Sequence, residues 1–156
     1  MRGRPTLPAT GACQCGALRF RADKAPLLTA ACHCRDCQRM TGAPYAAIAM
    51  IPADGFKILA GEPVRGGLRR GERKHFFCAD CMTAVFTRIA GREDKYVNVR
   101  ATLFDDATWF APFVEIWTET RLPFAVTGAP HAFPRFPEPE EFMPLVAAYA
   151  AEVEEI

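Results

Sequence analysis

The sequence predicts a mainly β fold that ends in an α-helix, and three observations carry this prediction. Between residues 11 and 117, short apolar runs are separated by Gly, Pro and Asp, which is typical of many short strands joined by turns. Within this stretch, residues 96–103 alternate polar and apolar side chains, so one face of that strand is apolar. After position 140, apolar residues recur at helical spacing instead.

The predicted elements follow in order along the chain. Residues 1–10 contain two prolines and two arginines and are predicted to form a flexible tail. Apolar runs then predict strands at residues 18–20, 27–31, 45–51, 56–59, 75–77, 85–89, 96–103 and 114–117. A helical turn is predicted at residues 36–40, because Thr41 and Gly42 follow it and would end it.

The C-terminal part changes character twice. Five prolines between positions 122 and 139 argue against a regular helix or a central strand there, so this segment is expected to lie extended over the fold. An amphipathic helix is then predicted from about Glu140, with apolar positions at Phe142, Leu145, Val146, Tyr149 and Val153. The predicted organisation is a tail (1–10), one domain (11–136) and a helical extension (137–156). The helix is expected to dock on the domain or to form a homo-oligomer contact.

Composition and charge exclude several classes of protein. The chain has 156 residues, with 19 Lys and Arg against 18 Asp and Glu, so binding to nucleic acid by charge is not expected. No apolar run approaches 18 residues, and we expect no membrane partner. The first residues lack the apolar core of a signal peptide. A cytoplasmic location follows as the expectation, in a compartment where structural disulfides are rare.

The seven cysteines fall into three clusters. Their spacings are C-x-C, C-x-C-x-x-C and C-x-x-C, formed by Cys13 and Cys15, by Cys32, Cys34 and Cys37, and by Cys78 and Cys81. An odd number excludes complete internal disulfide pairing. Short-spaced cysteines that are well separated in sequence are typical of zinc sites, and thiolates select zinc, copper(I) or iron–sulfur clusters.

Counting ligands divides the cysteines into four and three. A structural zinc site has four protein ligands, whereas a catalytic site has three and an open position. The first and third clusters together supply four thiolates, and the middle cluster supplies three. Three thiolates would give a bound zinc ion a net charge of about −1. The open site therefore suits binding and activation of a thiol better than it suits hydrolysis.

Other assignments of the cysteines remain open from the residues alone. Both sites would be structural if His33, His75 or a water molecule completed the second one. An iron–sulfur cluster also takes four cysteines. A redox role for the C-x-x-C pair is disfavoured, because no thioredoxin-like βαβ pattern surrounds it. Since His33 lies between two predicted ligands, its side chain is expected to point away from the metal.

The motifs around these cysteines resemble the glutathione-dependent formaldehyde-activating enzymes, also called the CENP-V/GFA domain. The resemblance covers roughly residues 10–125. It rests on GACQCGALRF at 11–20, CHCRDCQR at 32–39, TGAPY at 41–45, GEP at 61–63, FCADC at 77–81, and IW and RLPF at 116–117 and 121–124. One departure is Met82, which stands where the family commonly has glycine and makes the local turn uncertain.

The resemblance implies a fold of layered short antiparallel sheets, the β-tent type, with two zinc ions. It implies a structural zinc on Cys13, Cys15, Cys78 and Cys81 and a catalytic zinc on Cys32, Cys34 and Cys37. It also implies carbon–sulfur lyase chemistry, in which formaldehyde and glutathione give S-hydroxymethylglutathione. The alternatives to this enzyme are a non-catalytic zinc module that binds a thiol or a protein partner, and a zinc enzyme acting on an unrelated small molecule.

Candidate substrate residues follow from the chemistry of a tripeptide thiol. Its two carboxylates need cationic partners, since an arginine fork matches a carboxylate. The candidates are Arg35, Arg39 and Arg121. Tyr45, Phe124 and Trp117 are candidates for the pocket wall. Asp36 and Glu115 are candidates for a general base.

Overall fold

The computed structural model describes residues 3–154 and confirms a mainly β fold with a helix at its C-terminal end. The strands are β1 (Ala9–Ala12), β2 (Arg19–Ala22), β3 (Leu28–Cys32), β4 (Ala46–Pro52), β5 (Phe56–Ala60), β6 (Pro63–Gly66), β7 (Arg73–Cys78), β8 (Ala84–Ile89), β9 (Tyr96–Arg100), β10 (Val114–Ile116) and β11 (His131–Ala132). The helices are α1 (Arg35–Thr41) and α2 (Pro139–Glu154). Residues 1–2 of the predicted tail and 155–156 of the predicted helix lie outside the described residues.

The strands form two sheets. One has three strands in the order β1-β2-β5, and the other has eight in the order β11-β10-β3-β4-β9-β8-β7-β6. Most neighbours are antiparallel, as predicted, but β10 pairs in parallel with both β3 and β11. Parallel neighbours need long crossover connections, and residues 117–130 supply one between β10 and β11.

All eight predicted strands overlap observed ones, and three further strands carry no strong sequence signal. The strand β1 consists of small residues, β6 begins with a proline and β11 has two residues. Since β1 begins at Ala9, the boundary predicted after residue 10 falls inside a strand. A side chain at Gly11 would overlap the Phe20 ring and the Leu103 carbonyl, so only glycine lets β1 pack this closely.

The first hydrophobic core lies between the two sheets. Phe56 of the small sheet contacts Phe20 in its own sheet and Phe86 in the large one, and Phe104 packs edge-on against both Phe20 and Trp109. These aromatic contacts join the layers, so the small sheet covers one face of the large sheet.

The second core lies under α2. Leu145 and Tyr149 of the helix are buried against Phe113, Val114 and Leu28. The predicted apolar face of the helix is therefore used for docking on the domain. A homo-oligomer contact through this helix stays a prediction.

Within residues 3–154, neither helix combines the length and apolar character that crossing a bilayer requires. The proline-containing segment before α2 runs alongside β10, where Phe133 N donates to Glu115 O at 2.9 Å and Trp117 N donates to Arg135 O at 3.2 Å. It therefore lies close to the cysteine-bearing end of the large sheet.

Candidate metal centres and active site

The first and third cysteine clusters meet at one point. The sulfurs of Cys13, Cys15, Cys78 and Cys81 all lie within 4.8 Å of one another. The Sγ atoms of Cys13 and Cys15 are 3.6 Å apart, and those of Cys15 and Cys78 are 3.8 Å apart. Four tetrahedral sulfurs at the usual zinc–sulfur distance are separated by about 3.8 Å. The cluster therefore has the dimensions of a closed tetrathiolate metal site.

Two turns shape this four-cysteine cluster. The turn after β1 closes where Gly16 N donates to Cys13 O at 3.0 Å, and the turn after β7 closes where Met82 N donates to Cys78 O at 3.1 Å. Leu18 N donates to Cys13 Sγ at 3.3 Å. A hydrogen bond with Thr83 lowers the pKa of Cys81 to about 5, which favours the thiolate that a metal requires.

Met82 takes the strained position in the second turn. Its φ is 58°, in the left-handed region that glycine adopts without cost, and its side chain is half exposed. Met82→Gly is expected to raise the free energy of unfolding by about 0.5–1 kcal/mol, because strain relief outweighs the added freedom of the unfolded chain. Chemical denaturation checks this. Met82→Ala keeps the strain and should give no gain; equal stability of the two variants would contradict the explanation.

The middle cluster brings three sulfurs together at the start of α1. Cys32 ends β3, Cys34 caps the helix and Cys37 lies in its first turn, with Cys37 N donating to Cys34 Sγ at 3.3 Å. The three sulfurs lie within 4.8 Å of one another. In the described part of the chain, no fourth Cys, His, Asp or Glu joins them. This three-cysteine cluster is therefore an open donor set.

The three thiols cannot ionise independently. Hydrogen bonds from Cys32 and Cys37 lower the pKa of Cys34 to about 2, while the bond to Cys34 raises the pKa of Cys32 far above its ordinary value. One thiolate thus makes the ionisation of the next thiol less favourable, and a bound cation removes this repulsion between the negative charges. The donor chemistry fits a soft metal ion such as zinc.

His33 points away from the three sulfurs, as its position in the loop predicts. It is fully buried, and its Nε2 lies 3.1 Å from Glu115 Oε1. Burial lowers the pKa of His33, so the neutral ring donates this hydrogen bond. Burial alone would raise the pKa of Glu115, but bonds from Thr127 and His33 and the charge of Arg121 hold it below its ordinary value. Arg121 Nη1 donates to Glu115 Oε2 at 2.8 Å.

Gln38 and Thr120, which were not predicted from the sequence, form hydrogen bonds that hold the backbone of the loop at His33. Gln38 Nε2 donates to His33 O and to Thr120 O, both at 2.9 Å, and Thr120 Oγ1 donates to His33 O at 3.0 Å. Gln38 is buried. Its place directly after the C-x-C-x-x-C segment, between Cys37 and Arg39, is the signal that would have found it.

A small cleft opens at Cys34. It has a volume of about 250 Å³ and is lined by Cys34, Arg35, Asp36, Arg73, Trp117 and Thr120. Three of the residues suggested by the sequence, Arg35, Asp36 and Trp117, thus lie beside the three-cysteine cluster. Arg73 joins them from β7 and was not predicted.

The other candidates lie elsewhere. Tyr45 and Phe124 line a second, larger cleft of about 840 Å³. Arg39 is exposed and lines neither cleft. Arg121 is bound to Glu115, which is itself buried, so these two residues support the loop rather than facing the small cleft.

The comparison with protein families decides which family this is. A family model described as glutathione-dependent formaldehyde-activating enzyme matches residues 8–120. The chain belongs to this family. The range matched to the glutathione-dependent formaldehyde-activating family contains all seven cysteines and Glu115, and it ends one residue before Arg121. The helix α2 lies beyond it.

Curated proteins and solved structures were also compared with this chain. A comparison with curated proteins finds no match. Among solved structures, a crystal structure of a Rhodobacter sphaeroides protein, a structural-genomics target, is similar with 21% sequence identity and a TM-score of 0.45. The similarity covers 62% of this chain and 87% of that one.

Proposed function

We propose that the protein is a zinc-dependent enzyme of the carbon–sulfur lyase type. Its substrates would be glutathione or a similar small thiol and an aldehyde such as formaldehyde, and its product S-hydroxymethylglutathione. The observation that carries this proposal is the three-cysteine cluster, an open set of thiolate donors beside a cleft, in a chain of the glutathione-dependent formaldehyde-activating family. Free cysteines of this kind fit a reducing, cytoplasmic location.

Each cluster would hold one zinc ion in a different role. The four-cysteine cluster would bind a structural zinc, since all its positions are taken by protein sulfurs. The three-cysteine cluster would bind the catalytic zinc. A zinc ion there supplies a coordination position at which a substrate thiol loses its proton.

The small cleft would hold the rest of the thiol substrate. Arg35 and Arg73 line this cleft together with Cys34, and guanidinium groups bind carboxylates in a two-pronged geometry. Asp36 lies in the same cleft and suits an ammonium group. A tripeptide thiol carries both kinds of charge, so this cleft matches it better than the exposed Arg39 does.

Glu115 acts here as a positioning residue. Its Oε1 accepts hydrogen bonds from His33 and Thr127, and its Oε2 accepts one from Arg121. A general base needs to reach the proton that it removes, and this buried carboxylate is already engaged. Asp36 remains the proposed candidate for a base.

Exchange spectroscopy tests the proposed reaction. With two zinc ions per chain, the protein is expected to accelerate NMR exchange between formaldehyde and glutathione above the spontaneous rate, because holding both reactants together removes much of the entropic barrier. Cys34→Ser should abolish the acceleration and leave the fold intact. One zinc per chain, or iron instead, would contradict the division of the cysteines. Glutathione binding without acceleration would indicate the non-catalytic thiol-binding module.

A further inference from the structure

The larger cleft has a composition unlike that of the small one. Its volume is about 840 Å³, and most of its wall is apolar, with Tyr45, Phe110, Phe124 and Val126 among the side chains that line it. Of all the described residues that line it, Arg100 alone carries a charge. A cleft of this kind suits a ligand with an apolar body and one anionic group.

Arg100 is a buried cation without a carboxylate partner. It lies at the end of β9 with 6% of its surface exposed. Its hydrogen bond to Thr87 Oγ1 is long, at 3.5 Å, and its Nε has no hydrogen-bond partner. Among the ion pairs in the described part of the chain, none involves Arg100. A buried charge is costly unless it is paired, so an anionic ligand in the cleft would add a partner to the charges of the three cysteines.

The large cleft adjoins the three-cysteine cluster. Ala46, which lines the cleft, lies directly opposite Cys32 in the sheet. Thr41, which also lines it, donates from Oγ1 to Cys37 O at 2.7 Å. Burial lowers the pKa of Arg100, and the charges of Cys37, Cys32 and Cys34 partly oppose this shift. The large cleft thus lies next to the strand and the helix that carry Cys32 and Cys37, and it shares no lining residue with the small cleft.

We propose that the large cleft binds the aldehyde partner, and that this aldehyde carries an apolar body and a carboxylate held by Arg100. The proposal rests on the proposed function, in which the small cleft at Cys34 takes the thiol. Formaldehyde has neither a charge nor an apolar body, and a cleft of this size is far larger than it needs.

The reaction would be the same addition with a larger carbonyl compound. The thiolate sulfur forms a bond to the carbonyl carbon, and the π bond of the carbonyl breaks. The oxygen takes up one proton, which replaces the one that the thiol lost. No group leaves, and no electron donor or acceptor is needed.

Ligand titration without any thiol tests the site directly. Isothermal titration of the zinc-loaded protein would compare 4-formylbenzoate with benzaldehyde, its counterpart without the carboxylate. The wild type is expected to bind 4-formylbenzoate at least tenfold more tightly, because a buried charge-assisted hydrogen bond is strong. Arg100→Gln should remove this preference, and Arg100→Lys should keep part of it.

Control variants separate this site from other arginines. Arg88→Gln removes a partly buried arginine on the neighbouring strand, where its guanidinium lies over the Phe56 and Phe86 rings of the first core, and should keep the preference. Arg73→Gln alters the small cleft and should also keep it. Ala43→Phe partly fills the large cleft and should weaken binding of both aldehydes, which keeps the test valid if the Arg100 variants unfold.

Several results would overturn the proposal. The wild type could bind the two aldehydes equally, or Arg73→Gln could lose the preference for 4-formylbenzoate. The third such result is that Arg100→Gln lowers zinc retention and leaves the preference for 4-formylbenzoate unchanged. Failure of the proposed function is distinguishable, since it would appear as no exchange between glutathione and formaldehyde while carboxylate selectivity persists. Exchange with no carboxylate selectivity would reject only the assignment of the large cleft.

Discussion

Cys78→Ser is expected to abolish the cooperative thermal unfolding of the protein. Cys78 is buried, and its sulfur meets that of Cys15, a residue 63 positions away in sequence. Binding of a structural zinc supplies about 10–16 kcal/mol, whereas the net stability of a domain is about 5–15 kcal/mol. Loss of one of the four ligands of the proposed zinc ion would therefore remove a large share of what holds the two sheets together. Circular dichroism during heating measures the transition.

Cys34→Ser is the matched control for this prediction. It removes a sulfur from the three-cysteine cluster, whose members all lie within one short loop and helix. A cooperative transition within a few degrees of the wild type is expected. If Cys34→Ser unfolds the protein as severely as Cys78→Ser does, the second site is structural as well. If Cys78→Ser leaves the transition unchanged, the four-cysteine cluster does not stabilise the fold.

Glu115→Gln is expected to lower the free energy of unfolding by about 3 kcal/mol at pH 7, because removing one partner from a buried ion pair leaves uncompensated groups. Glu115 is 3% exposed and accepts hydrogen bonds from His33, Thr127 and Arg121. The side-chain NH2 group of glutamine is a hydrogen-bond donor, and it would face the donor groups of His33, Thr127 or Arg121 without an acceptor. Urea denaturation measures the loss, and Glu119→Gln, at an exposed ion pair with Arg135, is the control with little effect.

The pH dependence gives this prediction a second measurement. The folded-state pKa of Glu115 is lowered from 4.5, so its ionised form stabilises the fold fully above that value. The contribution is lost as the pH falls from 4.5 through the folded-state pKa. The stability difference between wild type and Glu115→Gln should therefore be constant from pH 6 to 8 and shrink below about pH 4.5. A difference that grows in acid would contradict the assigned charge state.

Much of the site is readable from local spacing. Ligands two or three residues apart turn toward one point in a tight loop, which accounts for each short cluster. The division of seven cysteines into four and three came from counting the ligands of a closed and an open zinc site. The position of His33 between two cysteines likewise predicts that its ring points away. Its partner was not predictable, because Glu115 lies 82 residues further along the chain and meets it only through the pairing of β3 with β10.

Arg100 shows where pattern reasoning fails. The alternation in residues 96–103 assigns it to the polar face of a strand, a face normally taken to be solvated. In the large sheet, β9 lies between β4 and β8, and Arg100 is buried at the wall of the larger cleft. The period of a strand tells which residues share a face, but it does not tell what covers that face.

The sequence by itself thus determined the mainly β class, the C-terminal helix and the three-cysteine cluster, because each depends on spacing within a few residues. Counting ligands then assigned the other four cysteines to one site. Only the tertiary structure decided which arginines adjoin the three-cysteine cluster, that Glu115 supports the loop from inside the fold, and that two clefts of different character flank the cluster. These features depend on strand order and on connections across much of the chain, and no local pattern records such long-range contacts.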